Sequence, residues 1–180
     1  KRIPDFKYLD YTPHEPEYYL DRTGYWVERY VEYSTGRSTK YIIIITGGEL
    51  LSGIYPDGHT YFITKNLRPL GLECVGSMSV DDKQADLVEA LRYAADKADL
   101  VIVTGGLGPT DNDITREALS SFTRISLEEQ SDVLQEMARR FRVSPDRLRA
   151  NLRRQTQVPT KGTYFRNTEG TAVGLAFEST

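Results

Sequence analysis

Residues 99–115 read DLVIVTGGLGPTDNDIT, and no other stretch limits the possible folds as strongly. Leu100–Val103 is a short apolar run rich in β-branched side chains, bounded by Asp99 and by glycines. That is the pattern of a strand buried on both faces, and it predicts a central parallel strand. After Thr104, Gly105, Gly106 and Gly108 can take positive φ and let a ligand approach bare backbone, while Pro109 stiffens the loop. Thr110 followed by Asp113 resembles a capping box with Asp in place of Glu, ahead of Ile114, Ala118 and Phe122 on one helix face. Strand, loop and helix start would then turn unpaired amides and the positive end of the helix dipole towards an anion. Asp111 and Asp113 would repel a phosphate there unless a hard cation such as Mg²⁺ came between them. The plainer alternative is N-capping, which needs only one of the two and no ligand. The glycine spacing is not G-x-G-x-x-G and no Gly-Lys-Ser/Thr follows, so neither a Rossmann fingerprint nor a P-loop is present.

A length of 180 residues fits one α/β domain with an appendage. The net charge of −3 argues against a general nucleic-acid binder that relies on phosphate neutralisation. Cys74 is the only cysteine, which excludes an intrachain disulfide and suits a reducing cytoplasm. Its place in the apolar segment Leu72–Val75 favours a buried, inert thiol over a catalytic one. No apolar run approaches the roughly 20 residues of a membrane span, and no signal peptide is read at the start, so a cytoplasmic protein without membrane contact is expected.

Residues 1–40 read as an arm distinct from a domain at 41–180. Seven of the twelve tyrosines lie in the arm, broken by Pro4, Pro13 and Pro16. Tyr25–Tyr33 carries both a strand and a helix periodicity; strand is the reading adopted, with Ser34–Ser38 as a turn into the first core strand, a hairpin being one form of it. The tyrosines suit docking on the domain or on a second subunit better than stacking on a ligand. Tyr41–Thr46 (YIIIIT) predicts a second buried strand, with Glu49 just past its carboxyl end, the edge where open α/β sheets bind ligands. Ile63, Leu67 and Leu70 predict a helix stripe ending near Gly71, and Leu72–Val80 the next strand, followed by Asp81-Asp82. Leu87, Val88, Leu91, Ala94, Ala95 and Ala98 predict a further helix. This alternation implies a parallel sheet with helices on both faces. Leu134, Met137, Ala138 and Phe141 mark another helix, and Ser144-Pro145 opens one carrying Leu148 and Leu152. Seven arginines between Arg139 and Arg154 chiefly solvate a helix surface. Tyr164-Phe165 predicts a short strand, Asn167–Gly170 a turn, and Thr171–Phe177 a closing strand interrupted by Gly174.

Five elements carry a family resemblance: Gly47–Gly53 (GGELLSG), Asp81-Asp82, Thr104–Thr115 (TGGLGPTDNDIT), Asn151–Pro159 (NLRRQTQVP) and Asn167–Gly174 (NTEGTAVG). In this order they make residues 41–178 resemble the MoaB/Mog-like molybdopterin-binding domain, most closely the amino-terminal domain of the CinA (competence/damage-inducible) proteins. The resemblance implies a three-layer α/β/α domain with a mostly parallel sheet, a cytoplasmic homo-oligomer (dimer or trimer), and a small phosphorylated ligand, nucleotide or pterin, as partner. Three functions follow from it as alternatives. The first is a Mg²⁺-dependent pyrophosphatase acting on ADP-ribose or a similar nucleoside diphosphate sugar. The others are a molybdopterin-binding or adenylylating protein of molybdenum cofactor biosynthesis, and a degenerate interaction domain.

By position, the resemblance implies Asp81, Asp113 and Glu49 as catalytic, and Asp81, Asp82, Asp113 and Asn112 as Mg²⁺ ligands. It implies Thr46, Gly47, Asp57, Thr104, Gly105, Gly106, Gly108, Pro109, Thr110 and Thr115 around the ligand, joined by Asn167, Gly170 and Thr171. The departures from the family pattern are Gly48 in place of Asp, Gly58-His59 in place of Thr-Asn, Asn112 in place of Asp and Val173 in place of Pro. Neither histidine reads as a base. Two carboxylates are thus missing, which weakens any metal held there.

Overall fold

The computed structural model describes residues 38–54 and 56–178, with the backbone of two further strands, β1 (Glu17–Leu20) and β2 (Trp26–Arg29). The chain divides into two compact units, Lys1–Arg37 and Ser38–Thr180. In the first, β1 and β2 pair antiparallel, with Glu17 opposite Arg29 and Leu20 opposite Trp26. The strand reading of residues 25–33 therefore holds over Trp26–Arg29. The rest of that segment, the turn expected from residue 34 to 37 and the docking of the tyrosines lie outside the described residues.

The second unit is built on β3 (Lys40–Thr46), flanked in parallel by β4 (Glu73–Val80) and β5 (Leu100–Thr104). Successive side chains of β3 point to opposite faces, so its apolar run feeds two cores. Ile42 and Ile44 pack with Leu87, Ala90, Leu91 and Ala94 of α3 (Gln84–Lys97) and Ala118 of α4 (Thr115–Thr123). Tyr41, Ile43 and Ile45 pack with Leu50 of α1 (Gly48–Leu51) and with Ile63 and Leu67 of α2 (His59–Leu67). Helices cover both faces of a parallel sheet, as the alternation of elements predicts.

Several expectations are corrected. Among the described strands β3, not β5, is central. Tyr41 to Ile45 are at most 2% exposed, whereas β5 is only half-buried and Leu100 is 39% exposed. The apolar stripe of α2 stops at Leu67: Leu70 lies in a 3₁₀ turn closed by Gly71 at φ 76° and faces water, as does Ala95 on α3. Cys74 is half-buried against the second core, its thiol 3.5 Å from the Gly76 carbonyl oxygen.

The carboxyl-terminal part also differs in detail. α5 (Ser131–Phe141) forms as its spacing predicts, but the helix opened by Ser144-Pro145 is cut in two. A 3₁₀ turn at Pro145–Arg147 gives way to extended backbone at Leu148, which is buried, and α6 (Ala150–Arg154) begins only afterwards. β6 (Leu127–Glu129) and β7 (Gln157–Pro159) pair antiparallel and carry no readable alternation, being three residues each. β8 (Gly162–Phe165) pairs antiparallel with β9 (Gly174–Phe177). Gly174 starts β9 rather than interrupting it; it stands opposite Phe165, whose side chain lies 3.4 Å from where a Cβ would be. Among the described residues no helix is long and apolar enough to cross a membrane.

Candidate ligand-binding site

The carboxyl ends of β3, β4 and β5 lie side by side, with Thr46 opposite Val80 and Ile45 opposite Thr104. Three loops leave from this edge. Between the first and third a cleft of about 550 Å³ opens, lined by Thr46, Gly47, Glu49, Leu50, Pro56, His59, Phe62, Thr104 and Gly105 among others. A volume of that order suits a nucleotide-sized ligand.

The glycine loop is shaped by close approach. Gly105 and Gly106 have φ of 98° and 63°. A Cβ on Gly105 would fall on the Thr46 carbonyl oxygen, and one on Gly106 would meet the Thr115 hydroxyl. The Thr115 hydroxyl in turn donates to the Gly105 carbonyl oxygen at 2.9 Å, and its amide donates to that of Gly106 at 3.1 Å. Only glycine lets these two segments pack so tightly.

Asp113 does not begin a helix. α4 starts at Thr115 with Ile114 at its N-cap, so the capping-box expectation is corrected. The Asp113 carboxylate instead closes the loop on itself, accepting the Gly108 amide and the Thr110 amide, each at 2.8 Å, together with the Thr110 hydroxyl. Arg154 holds the same loop from α6 by donating to the Asp113 and Thr110 carbonyl oxygens. Burial pushes the Asp113 carboxyl up, but these donors and the Arg154 charge outweigh it and hold the group below the ordinary carboxylate range. Pro109 is half-buried within the loop, while Asp111 and Asn112 are exposed. Beneath it Arg116 is fully buried. One of its guanidinium nitrogens lies 3.4 Å from the Leu107 carbonyl oxygen, and Nε and Nη1 have no hydrogen-bond partner among the described residues.

Asp82 accepts the Thr46 hydroxyl at 2.9 Å and, at a longer 3.4 Å, the Gly48 amide. Asp81 accepts the Asp82 amide and forms an ion pair with Lys83 at 2.8 Å, which holds its carboxyl below the usual range. Every carboxylate oxygen of Asp81, Asp82 and Asp113 therefore already has a donor. Among the described residues no three His, Cys, Asp or Glu side chains gather as a metal site. A cation at the residues expected to hold Mg²⁺ would compete with these donors. A Cβ at Gly48, where the family pattern has Asp, would stand 3.4 Å from Asp81 Oδ1, so the acid missing there is one that would have joined Asp81.

Of the remaining expected residues, Asp57 accepts the amides of His59 and Thr60 and so ties down the first turn of α2. Asn167, Gly170 and Thr171 line a separate small hollow against α5. There Asn167 accepts the Glu169 and Gly170 amides, Arg140 donates to the carbonyl oxygens of Asn167 and Gly170, and Thr171 reaches the glycine loop only through Gln155, which donates to the Leu107 carbonyl oxygen. The cleft thus gathers Thr46, Gly47, Glu49, Thr104 and Gly105, and leaves Asp113 and the Asn167 turn outside its lining. His59 and Phe62 are lining residues that sequence reasoning passed over. The signal for His59 was its standing where the family pattern has Asn.

A family profile described as "Probable molybdopterin binding domain" matches residues 42–176. The chain belongs to this family. Among relatives of the molybdopterin-binding domain, a CinA-like protein of Fusobacterium nucleatum is 34% identical over 130 residues, covering 72% of this chain and 32% of the relative. One from Desulfovibrio desulfuricans is 38% identical over 134 residues, covering 74% and 31%. The chain spans about a third of the length of the curated relatives it matches. The crystal structure of the protein CinA from Thermoplasma acidophilum aligns with a TM-score of 0.70 and 26% identity, over 76% of this chain and 79% of that chain.

Proposed function

We propose that this molybdopterin-binding domain holds a small phosphorylated heteroaromatic molecule, a nucleotide or a pterin phosphate, in the cleft beside β3 and β5. The observation that carries this reading is the cleft itself. Its volume of about 550 Å³, the Thr104 hydroxyl and the bare backbone at Gly105 on one side, and the aromatic wall Phe62 on another, offer a phosphate face and an apolar face. Titrating ADP-ribose, AMP and a pterin phosphate calorimetrically into the protein, with and without Mg²⁺, tests it. Saturable binding of one of them without metal is expected; no heat from any of the three would remove the reading.

Hydrolysis of a nucleoside diphosphate such as ADP-ribose is a second reading, and Glu49 favours it as the one carboxylate among the described residues lining the cleft. Its Mg²⁺-dependent form is opposed by the engagement of Asp81, Asp82 and Asp113 described above. A gain-of-function substitution separates the two. Gly48→Asp fits sterically, since its Cβ would make only an ordinary contact. It is expected to cost about 0.5–1 kcal/mol in metal-free buffer by placing like charges side by side, and to recover that loss in millimolar Mg²⁺. Thermal denaturation with and without Mg²⁺ reads both effects; a melting point indifferent to Mg²⁺ would show that Asp81 is not at a latent cation site. A homo-oligomer belongs to the same proposal, and sedimentation equilibrium measures it directly.

A further inference from the structure

Among the described residues lining the cleft, Glu49 and His59 are the ionisable side chains. His59 opens α2 and reaches across to β5, with its Nδ1 3.3 Å from the Thr104 hydroxyl. Thr104 immediately precedes Gly105, the residue whose positive φ shapes the phosphate-facing loop. The contact anchors the ring beside that loop through one nitrogen and leaves Nε2 available to a second partner. Phe62, one turn further along the same helix, is 68% exposed and lines the same cleft. An imidazole and an apolar ring at i and i+3 thus share one helix face.

We propose that His59 contacts the ligand's phosphate through Nε2, and that its imidazolium form supplies positive charge beside the Gly105 loop. The ligand class follows from the spacing: the phosphate lies between His59 and the Gly105–Gly106 backbone, and an aromatic ring system lies on Phe62. The inference rests on the cleft reading above and deepens it. The charged groups that the described residues place beside His59 are Asp57, which accepts its amide, and Glu49, which lines the same cleft. From the strands, the Thr104 hydroxyl on β5 bonds to His59 and the Ser77 hydroxyl on β4 to Thr60. A bound phosphate beside the ring favours its imidazolium form.

Ligand affinity should then fall as pH rises through the imidazole range, because the protonated ring binds the anion better. ADP-ribose is the probe, since its diphosphate carries fixed charge across pH 6 to 8 and any change belongs to the protein. Wild type is expected to bind about fivefold or more weakly at pH 8 than at pH 6, while His59→Asn binds with no pH dependence and near the wild-type pH 8 affinity. The chain has two histidines, so NMR of the imidazole protons, with His59 assigned by its loss in the variant, gives an independent readout. The His59 titration is expected to move to higher pH when ADP-ribose is added. Binding that is pH-independent in wild type, a slope retained in His59→Asn, or a ring titration unmoved by ligand overturns the inference and leaves the cleft reading standing. No binding of ADP-ribose at either pH overturns the inference by removing its phosphate, while the AMP and pterin arms above decide the cleft reading. If His59→Asn does not fold, the wild-type pH series and ring titration decide alone.

Discussion

Gly105→Ala abolishes ligand binding and lowers stability by about 3 kcal/mol or more, as expected for a Cβ placed against backbone at positive φ. The obstacle is the Thr46 carbonyl oxygen, which belongs to the central strand and cannot swing aside as a side chain end could. Relief requires either moving the end of β3, whose preceding residues are buried on both faces, or flipping the glycine loop away from it. The first loosens the core and the second removes the backbone that faces the cleft, so stability and binding fall together. Gly76→Ala is the matching control: it lies in β4, and its Cβ would make only an ordinary 3.6 Å contact with Ile42. Denaturant unfolding of both variants, with calorimetric titration of ADP-ribose, gives the comparison. Equal stabilities would mean that the loop is not pinned to β3 as described.

Asp113→Ala is the second large effect, expected to cost about 2 kcal/mol, because two backbone amides and a hydroxyl lose a charged acceptor. The group is only partly buried, so water takes over some of these donors and the loss stays below that of a dry site. The sign of the pH dependence follows from the carboxyl being held below its ordinary value. Folding favours the ionised form, so the contribution is complete above the ordinary aspartate range near pH 4 and disappears as pH falls through the lower folded value. Wild type should therefore lose stability below about pH 4 more steeply than Asp113→Asn, which has no proton to bind there. Urea unfolding at pH 3, 4 and 7 measures the difference. Parallel acid limbs in the two proteins would place the stabilising charge elsewhere.

The central architecture was legible because its signals are local. The YIIIIT run has no polar face to show to water, so a strand covered on both sides was its only economical state, and α3 announced itself by periodicity. Which strand would be central was not legible, because that depends on what each neighbour covers rather than on the strand's own composition. The site was legible as a place more than as a mechanism. Gly105 and Thr46 were found because strand ends followed by glycine stand out. Asp113 was found too, but the sequence could not say that Gly108 and Thr110 would use up its oxygens. The break at Leu148 escaped because burying that side chain overrides a favourable Ser-Pro helix start. His59 meets Thr104 across 45 residues of sequence, and no local pattern reports such a meeting.

Thr46 carries a consequence beyond its place in the cleft lining. Its hydroxyl is committed to Asp82 on the loop after β4, while its carbonyl oxygen sets how near Gly105 can come on the loop after β5. One residue therefore gauges two loops that are otherwise separate in sequence, as a shared axle sets the track of two wheels. Lengthening either loop at its root would unseat the other, so variation among such domains has room in the identity of exposed residues such as Asn112 and His59, and little in the number of residues beside Thr46. Ligand preference in this architecture is then free to drift by substitution on a frame whose spacing stays constant.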